Sequence, residues 1–254
     1  MKALLWVIPT YFFGLMLLSF ACLAIWISQV QTYAQVLQQD AIGGIWWAMF
    51  TTGSLFANVG YMQTPDGLIS FQDAVFPLLV LAFMIVAGNT GFPCLLRLII
   101  WILFRLSPKN SVKKETYAFL LDHPRRCFTL LFPSTENWWL VLVLVILNLC
   151  DLFFFLVLNL GNDYTDAIPV GYRFVDGLFQ AISTRTAGVG VVNLQLLNPA
   201  ILVSYLIMMY ISVYPVAISV RRTNPYEEKS LGIFASEDEE NSSFLSMCFP
   251  FNFK

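Results

Sequence analysis

Apolar residues run along the chain in four long stretches, at positions 3–28, 74–104, 138–160 and 201–220. As helices rising 1.5 Å per residue, each reaches at least roughly 30 Å, the thickness of a bilayer's hydrocarbon core. The second stretch is unusually long and is interrupted by Gly88-Asn89-Thr90-Gly91-Phe92-Pro93. Two shorter apolar pieces lie in the connections after the first and third stretches: GGIWWAMFTTGSLFA at 43–57 and YRFVDGLFQAIS at 172–183. A helix of about 12 to 15 residues covers only roughly 18–22 Å, too little to cross. Each piece runs into a small-residue segment, Asn58-Val59-Gly60-Tyr61-Met62 and Thr184-Arg185-Thr186-Ala187-Gly188-Val189-Gly190. Each segment then leads to another full span. The pattern reads as one unit used twice: span, short re-entrant helix, glycine-containing strand, span. Internal duplication of this kind builds many transport proteins.

Composition narrows the class. Of 254 residues, 58% are hydrophobic and 12% charged. A water-soluble globule of this size cannot hide so much apolar surface. A net charge of −2 excludes a basic nucleic-acid binder. The expected fold is therefore an all-α integral membrane protein in a lipid bilayer, without a nucleic-acid partner. The first stretch is too long for the apolar region of a cleaved signal peptide. The five cysteines form no CxxC or Cys/His cluster, so no zinc site, disulfide framework or cofactor is expected.

Charge orients the chain. Of the 14 Lys and Arg residues, only Arg173 and Arg185 share the side that holds the 43–57 and 172–183 pieces. Basic residues favour the cytoplasm, so both termini and the loop around 107–137 are expected inside. The outer side gathers Asp40, Asp66, Asp73, Asp163, Asp166 and Asp176, which would draw cations to that mouth. The expected layout is a membrane-pore-membrane unit over 1–106, with its pore helix near 43–57, and a cytoplasmic basic loop over 107–137. A second unit follows over 138–222, with its pore helix near 172–183, then a cytoplasmic tail over 223–254.

That unit suits a cation pathway. A re-entrant helix entering from outside aims its C-terminal end, with its partial negative charge, at the membrane centre. The returning segment lacks regular structure, which survives at that depth only beside a watery cavity or inside protein. Glycine there allows positive φ and close approach, so backbone carbonyls can replace an ion's hydration shell. Val59-Gly60-Tyr61 and Thr186-Ala187-Gly188 have that composition, and neither strand holds a carboxylate. Carbonyl coordination of K+ or Na+ follows as the expectation. The competing reading is an interfacial helix over 43–57 anchored by Trp46 and Trp47, with Gly60 a mere turn. Two such loops at equivalent places favour pore loops.

Other residues bear on the same question. Asp151 lies inside the third span with Asn148 one turn before it, placed to hydrogen-bond it; the pair is a candidate polar site in the membrane, read either as an interior structural hydrogen bond or as part of an ion path. Arg185 is expected behind the filter, tied to backbone carbonyls or to a carboxylate such as Asp176. Gly88 and Gly91 are candidate hinge positions or close-packing points. His123, the only histidine, has no catalytic partners, and the Glu237-Asp238-Glu239-Glu240 run reads as a solvated tail. With no GxSxG elbow or His/Asp/Glu cluster in the spans, an enzyme is not expected.

Long strings then resemble the fungal Trk potassium transporters of the Trk/Ktr/HKT superfamily. They are AGNTGFPCLLRLIIWILFRLSP (87–108), FLLDHPRRCFTLLFP (119–133), GLFQAISTRTAGVGVVNL (177–194) and SYLIMMYISVYPVAISVRRTNPYEEKSLGIF (204–234). That family has four membrane-pore-membrane repeats around one pore, each donating a filter glycine. The resemblance covers the second and third repeats only. It implies that Gly60, with Asn58, Val59 and Tyr61, forms one filter strand, and Gly188, with Thr186, Ala187 and Val189, another. It also implies a plasma-membrane protein moving K+, alone or coupled to Na+ or H+. Two repeats supply half of such a filter, so a homo-oligomer or additional repeats are expected to close the pore. The expected function is transport as part of a Trk-type transporter. The alternative is a non-conducting fragment or modulatory subunit that assembles with full-length transporters.

Overall fold

A computed structural model describes residues 2–108, 112–122, 124–166, 168–211 and 214–222. The 223–254 tail, its acidic run and His123 lie outside the described residues. Everything regular among the described residues is helical. The first half holds α1 (Lys2–Gln29), α2 (Gln31–Gln39), α3 (Gly44–Phe56), α4 (Val75–Gly88) and α5 (Phe92–Leu106). Then come α6 (Val112–Asp122), α7 (Pro124–Cys127), α8 (Ser134–Leu158), α9 (Asp163–Asp166), α10 (Val170–Arg185), α11 (Pro199–Ile211) and α12 (Tyr214–Arg222).

Proline marks several helix starts. Pro93 opens α5, Pro199 opens α11, and Pro133 and Pro169 precede α8 and α10. Its missing N–H costs nothing in a first turn, where no intrahelical acceptor is available. Leu4–Gln29, Ser134–Leu158 and Pro199–Arg221 are each long and apolar enough to cross a membrane. The expected span at 74–104 is broken: α4 and α5 meet at an 89° bend. On α8 the exposed residues Leu142, Val145, Ile146, Leu149 and Phe153 recur every three to four positions. Such an outward apolar stripe is stable against lipid and costly against water.

α4 is the shared centre. It packs on α1 and α3 from its own half and on α10 from the other. One hydrophobic cluster accordingly joins Leu23, Trp47, Phe71, Leu78 and Leu81 with Phe179, Ala187, Val189 and Val191. Within it Tyr33, Phe71 and Trp47 stack face to face, with centroids 5.3 Å and 4.8 Å apart. Trp47 is thus a fully buried core residue, and Ala48, Thr51, Thr52 and Leu55 of α3 are buried beside it. This burial argues against a helix floating at the interface on two tryptophan anchors. Over 107–137, Leu120 and Leu131 pack with Leu4 and Val7 of α1 and Leu96 and Ile100 of α5.

Candidate functional site

α3 and α10 end in the same way. After Phe56 the chain passes through Ala57, then Asn58 (φ 53°) and Gly60 (φ +80°) turn it into the left-handed region. After Arg185 it passes through Thr186 and Ala187 to Gly188 (φ +71°). The last carbonyls of each helix are taken by the turn that follows: Val59 N–H donates to Ser54 O (2.9 Å), and Gly188 N–H to Ser183 O (2.7 Å). A residue with positive φ after a helix closes it in this manner and is usually glycine. Asn58 tolerates the conformation through its short polar side chain, whose Nδ2 donates to Phe56 O (3.2 Å).

The two segments expected as strands have no regular structure, and they meet. A Cβ added to Gly60 would stand 2.3 Å from the Ala187 carbonyl oxygen, so Gly60 and Ala187 are in direct backbone contact. Further out, Leu68 N–H donates to Gly190 O (3.1 Å). Gln72 Nε2 donates to Val191 O (2.6 Å) and to the Tyr164 hydroxyl (2.9 Å). Behind the second strand, Gln180 Oε1 accepts from Val191 N–H (3.2 Å). Val59, Tyr61 and Gly188 are exposed while Ala187 and Val189 are buried, so the joined strands present one open side.

The structure thus brings Asn58, Val59, Gly60 and Tyr61 beside Thr186, Ala187, Gly188 and Val189. Gly88 and Gly91 stand at the elbow between α4 and α5. A Cβ on Gly88 would lie 1.8 Å from the Phe56 carbonyl, so the elbow touches the end of α3 just before the first strand. Tyr11 of α1 donates its hydroxyl to Ala87 O (2.7 Å) at the same place.

Two expected pairings and one expected position resolve differently. Arg185 is buried behind the second strand as expected, but its Nη2 donates to Asn148 Oδ1 on α8 and not to Asp176. Asn148 is therefore engaged by the guanidinium and not by Asp151. Asp151 is fully buried, with Arg185 as electrostatic neighbour, and among the described residues neither of its carboxylate oxygens has a hydrogen-bond partner. Asp176, expected at the outer mouth, is fully buried on α10. Asn148 and Asp151 stand three residues apart on one face of α8, and both are neighbours of Arg185, which hydrogen-bonds the amide.

Sequence reasoning passed over Ser54, Ser183 and Gln72. The signal for the serines is positional: GSLFANVG and STRTAGVG each place a serine five or six residues before the glycine. Among the described residues no group of three or more His, Cys, Asp or Glu is arranged to hold a metal ion.

A family model, TrkH, described as a cation transport protein, matches residues 1–249. The high-affinity potassium transport protein of Saccharomyces uvarum is 49% identical over 233 residues, which is 92% of this chain and 19% of that protein. The low-affinity potassium transport protein of Saccharomyces cerevisiae is 46% identical, over 95% of this chain and 27% of its own length. Potassium transport protein 1 of Schizosaccharomyces pombe is 51% identical, over 79% and 24% respectively. The chain therefore spans about a fifth to a quarter of the length of these relatives.

Proposed function

The chain belongs to the TrkH family of cation transport proteins, and from that premise we propose that it carries two of the filter strands through which K+ crosses a membrane. Residues 1–106 and 138–222 act as two membrane-pore-membrane units, with α3 and α10 as the re-entrant helices. Asn58-Val59-Gly60-Tyr61 and Thr186-Ala187-Gly188-Val189 are the strands whose carbonyls meet the ion. Asn148, Asp151 and Arg185 brace the second strand from behind, and the Gly88–Gly91 elbow supports the first. The basic residues keep both ends and the 107–137 segment in the cytoplasm, and the membrane is the plasma membrane.

One observation carries this reading. Two helices too short to span end in left-handed glycine turns whose backbones touch, at Gly60 and Ala187. Backbone turned from regular structure in this way supplies carbonyl oxygens without side-chain charge, the chemistry that suits a weakly hydrated monovalent cation. Two strands line part of a ring, so further copies of the chain or further repeats supply the remainder.

The test is Rb+ or K+ uptake by a cell lacking its own potassium transporters, expressing the full chain. Gly60→Asp and Gly188→Asp each place a carboxylate where only backbone is tolerated, and uptake is expected to fall to background. Uptake unchanged by both substitutions would reject the filter assignment.

A further inference from the structure

The two strands share a device inside their helices. Ser54 accepts from Val59 N–H at its carbonyl (2.9 Å) and donates its hydroxyl to Tyr61 O (2.7 Å). Ser183 accepts from Gly188 N–H at its carbonyl (2.7 Å) and donates its hydroxyl to Val189 O (2.7 Å). The Ser183 hydroxyl also accepts from Val189 N–H (2.9 Å). Both serines are buried. In each half, then, one serine holds through its backbone carbonyl either the residue before the left-handed glycine (Val59) or the glycine itself (Gly188), and through its side chain the residue after it. The equivalence holds although the loops differ in sequence and the serine stands six residues before one glycine and five before the other.

The consequence concerns which oxygens are left. A carbonyl held toward a buried hydroxyl is less free to turn toward an ion on the strand's open side. Tyr61 O and Val189 O are occupied in this way, and Gly190 O and Val191 O are taken by Leu68 N–H and Gln72 Nε2. Among the described residues no donor reaches the carbonyls of Val59, Gly60, Ala187 or Gly188. The free set therefore ends at the glycine in both strands.

We propose that Ser54 and Ser183 are specificity-determining positioning residues: by turning the Tyr61 and Val189 carbonyls away, they set the number and spacing of oxygens offered to the cation. The proposal rests on the carbonyl-filter reading above. Preference among monovalent cations depends on how many carbonyl dipoles coordinate and how firmly they are held. Without the hydroxyl, the peptide after the glycine is free to rotate, adding a ligand and loosening its neighbours, so the site accepts Na+ more readily.

Ion-dependent thermal unfolding of the full chain in lipid nanodiscs tests this, with KCl, NaCl or choline chloride titrated at fixed ionic strength. A bound ion stabilises the folded state according to its occupancy, so affinities are read without flux. The wild-type chain is expected to respond to lower concentrations of K+ than of Na+. Ser54→Ala and Ser183→Ala are each expected to reduce that preference about five- to tenfold, the worth of one buried hydrogen bond. Serine-to-threonine changes, which keep the hydroxyl, are expected to preserve it. If an alanine variant does not fold, Ser54→Cys or Ser183→Cys, of similar size but a weak donor, is read in its place and is expected to lose part of the preference. An unchanged preference in the alanine or cysteine variants, with wild-type K+ stabilisation intact, overturns the serine assignment and leaves the filter reading standing. A wild-type chain indifferent to K+, Na+ and choline overturns the filter reading, and the serine assignment falls with it.

Discussion

At Gly60 two constraints coincide that are separated at Gly188. Both residues have positive φ, a conformation that costs alanine roughly 1–2 kcal/mol. A side chain at Gly188 would meet nothing within 4 Å, whereas one at Gly60 would meet the Ala187 carbonyl at 2.3 Å. Gly188→Ala is therefore expected to destabilise by the conformational term alone. Gly60→Ala adds an overlap with backbone, which cannot swing aside, of about 1–3 kcal/mol more. Thermal unfolding of the two variants in parallel checks the order, and equal losses would show that the strands do not touch. Both glycines were legible in the sequence because each follows a short apolar helix in a repeated unit. Ser54 and Ser183 were not, since a serine near the end of an apolar helix reads as ordinary composition. Its role appears only once the glycine turn has brought a carbonyl six or seven residues ahead back over the hydroxyl. Arg185 was half legible: its burial was expected from the proposed cation path, but its partner, Asn148, is set by how α10 packs on α8.

The elbow between α4 and α5 illustrates the same limit for whole elements. The interruption at 88–93 announces a break, because Gly and Pro weaken a helix and Pro93 cannot donate to the preceding turn. The 89° change of direction depends on contacts remote in sequence, the Tyr11 hydroxyl on Ala87 O and the Phe56 carbonyl against Gly88. The limits of α3 and α10 fall within two residues of the pore helices expected at 43–57 and 172–183, since composition alone marks where a short apolar segment starts and stops. Gly88 and Gly14 make a controlled comparison of helical glycines. A Cβ on Gly88 would stand 1.8 Å from the Phe56 carbonyl, while Gly14, inside α1, has nothing within 4 Å. Gly14→Ala is expected to leave the chain unchanged or to stabilise it by about 0.5–1 kcal/mol, since alanine is the better helix former. Gly88→Ala is expected to push α4 from the end of α3 and to destabilise by about 1–3 kcal/mol. Unfolding midpoints that move in the same direction for both would remove Gly88 from the support of the first strand.

For the whole molecule, the question is whether its two halves stand alone. The class of the protein and three of the four apolar spans follow from segment length and from lipid as solvent, which is why they were legible in the sequence. The coupling between halves was not, because its contacts join positions far apart in the chain. Gln72, just after the first glycine loop, donates to Val191 O and to the Tyr164 hydroxyl, and Tyr164 in turn accepts from Asn193 N–H (3.3 Å). With Leu68 N–H on Gly190 O and the hydrophobic cluster that mixes Trp47 and Phe71 with Phe179 and Val191, these contacts tie the first half's loop to the second half's strand. Gln72→Leu keeps the volume but leaves Val191 O without this donor, a cost of about 1–3 kcal/mol for a buried unsatisfied group. The loss falls between the halves and not within either. Hydrogen exchange followed segment by segment is therefore expected to show α3 and α10 opening together, with one free energy, in the wild-type chain. In Gln72→Leu both are expected to lose protection by the same increment. Were α10 to open while α3 stayed protected, the halves would be independent folding units, and the two glycine segments could not hold a fixed spacing across the contact at Gly60 and Ala187.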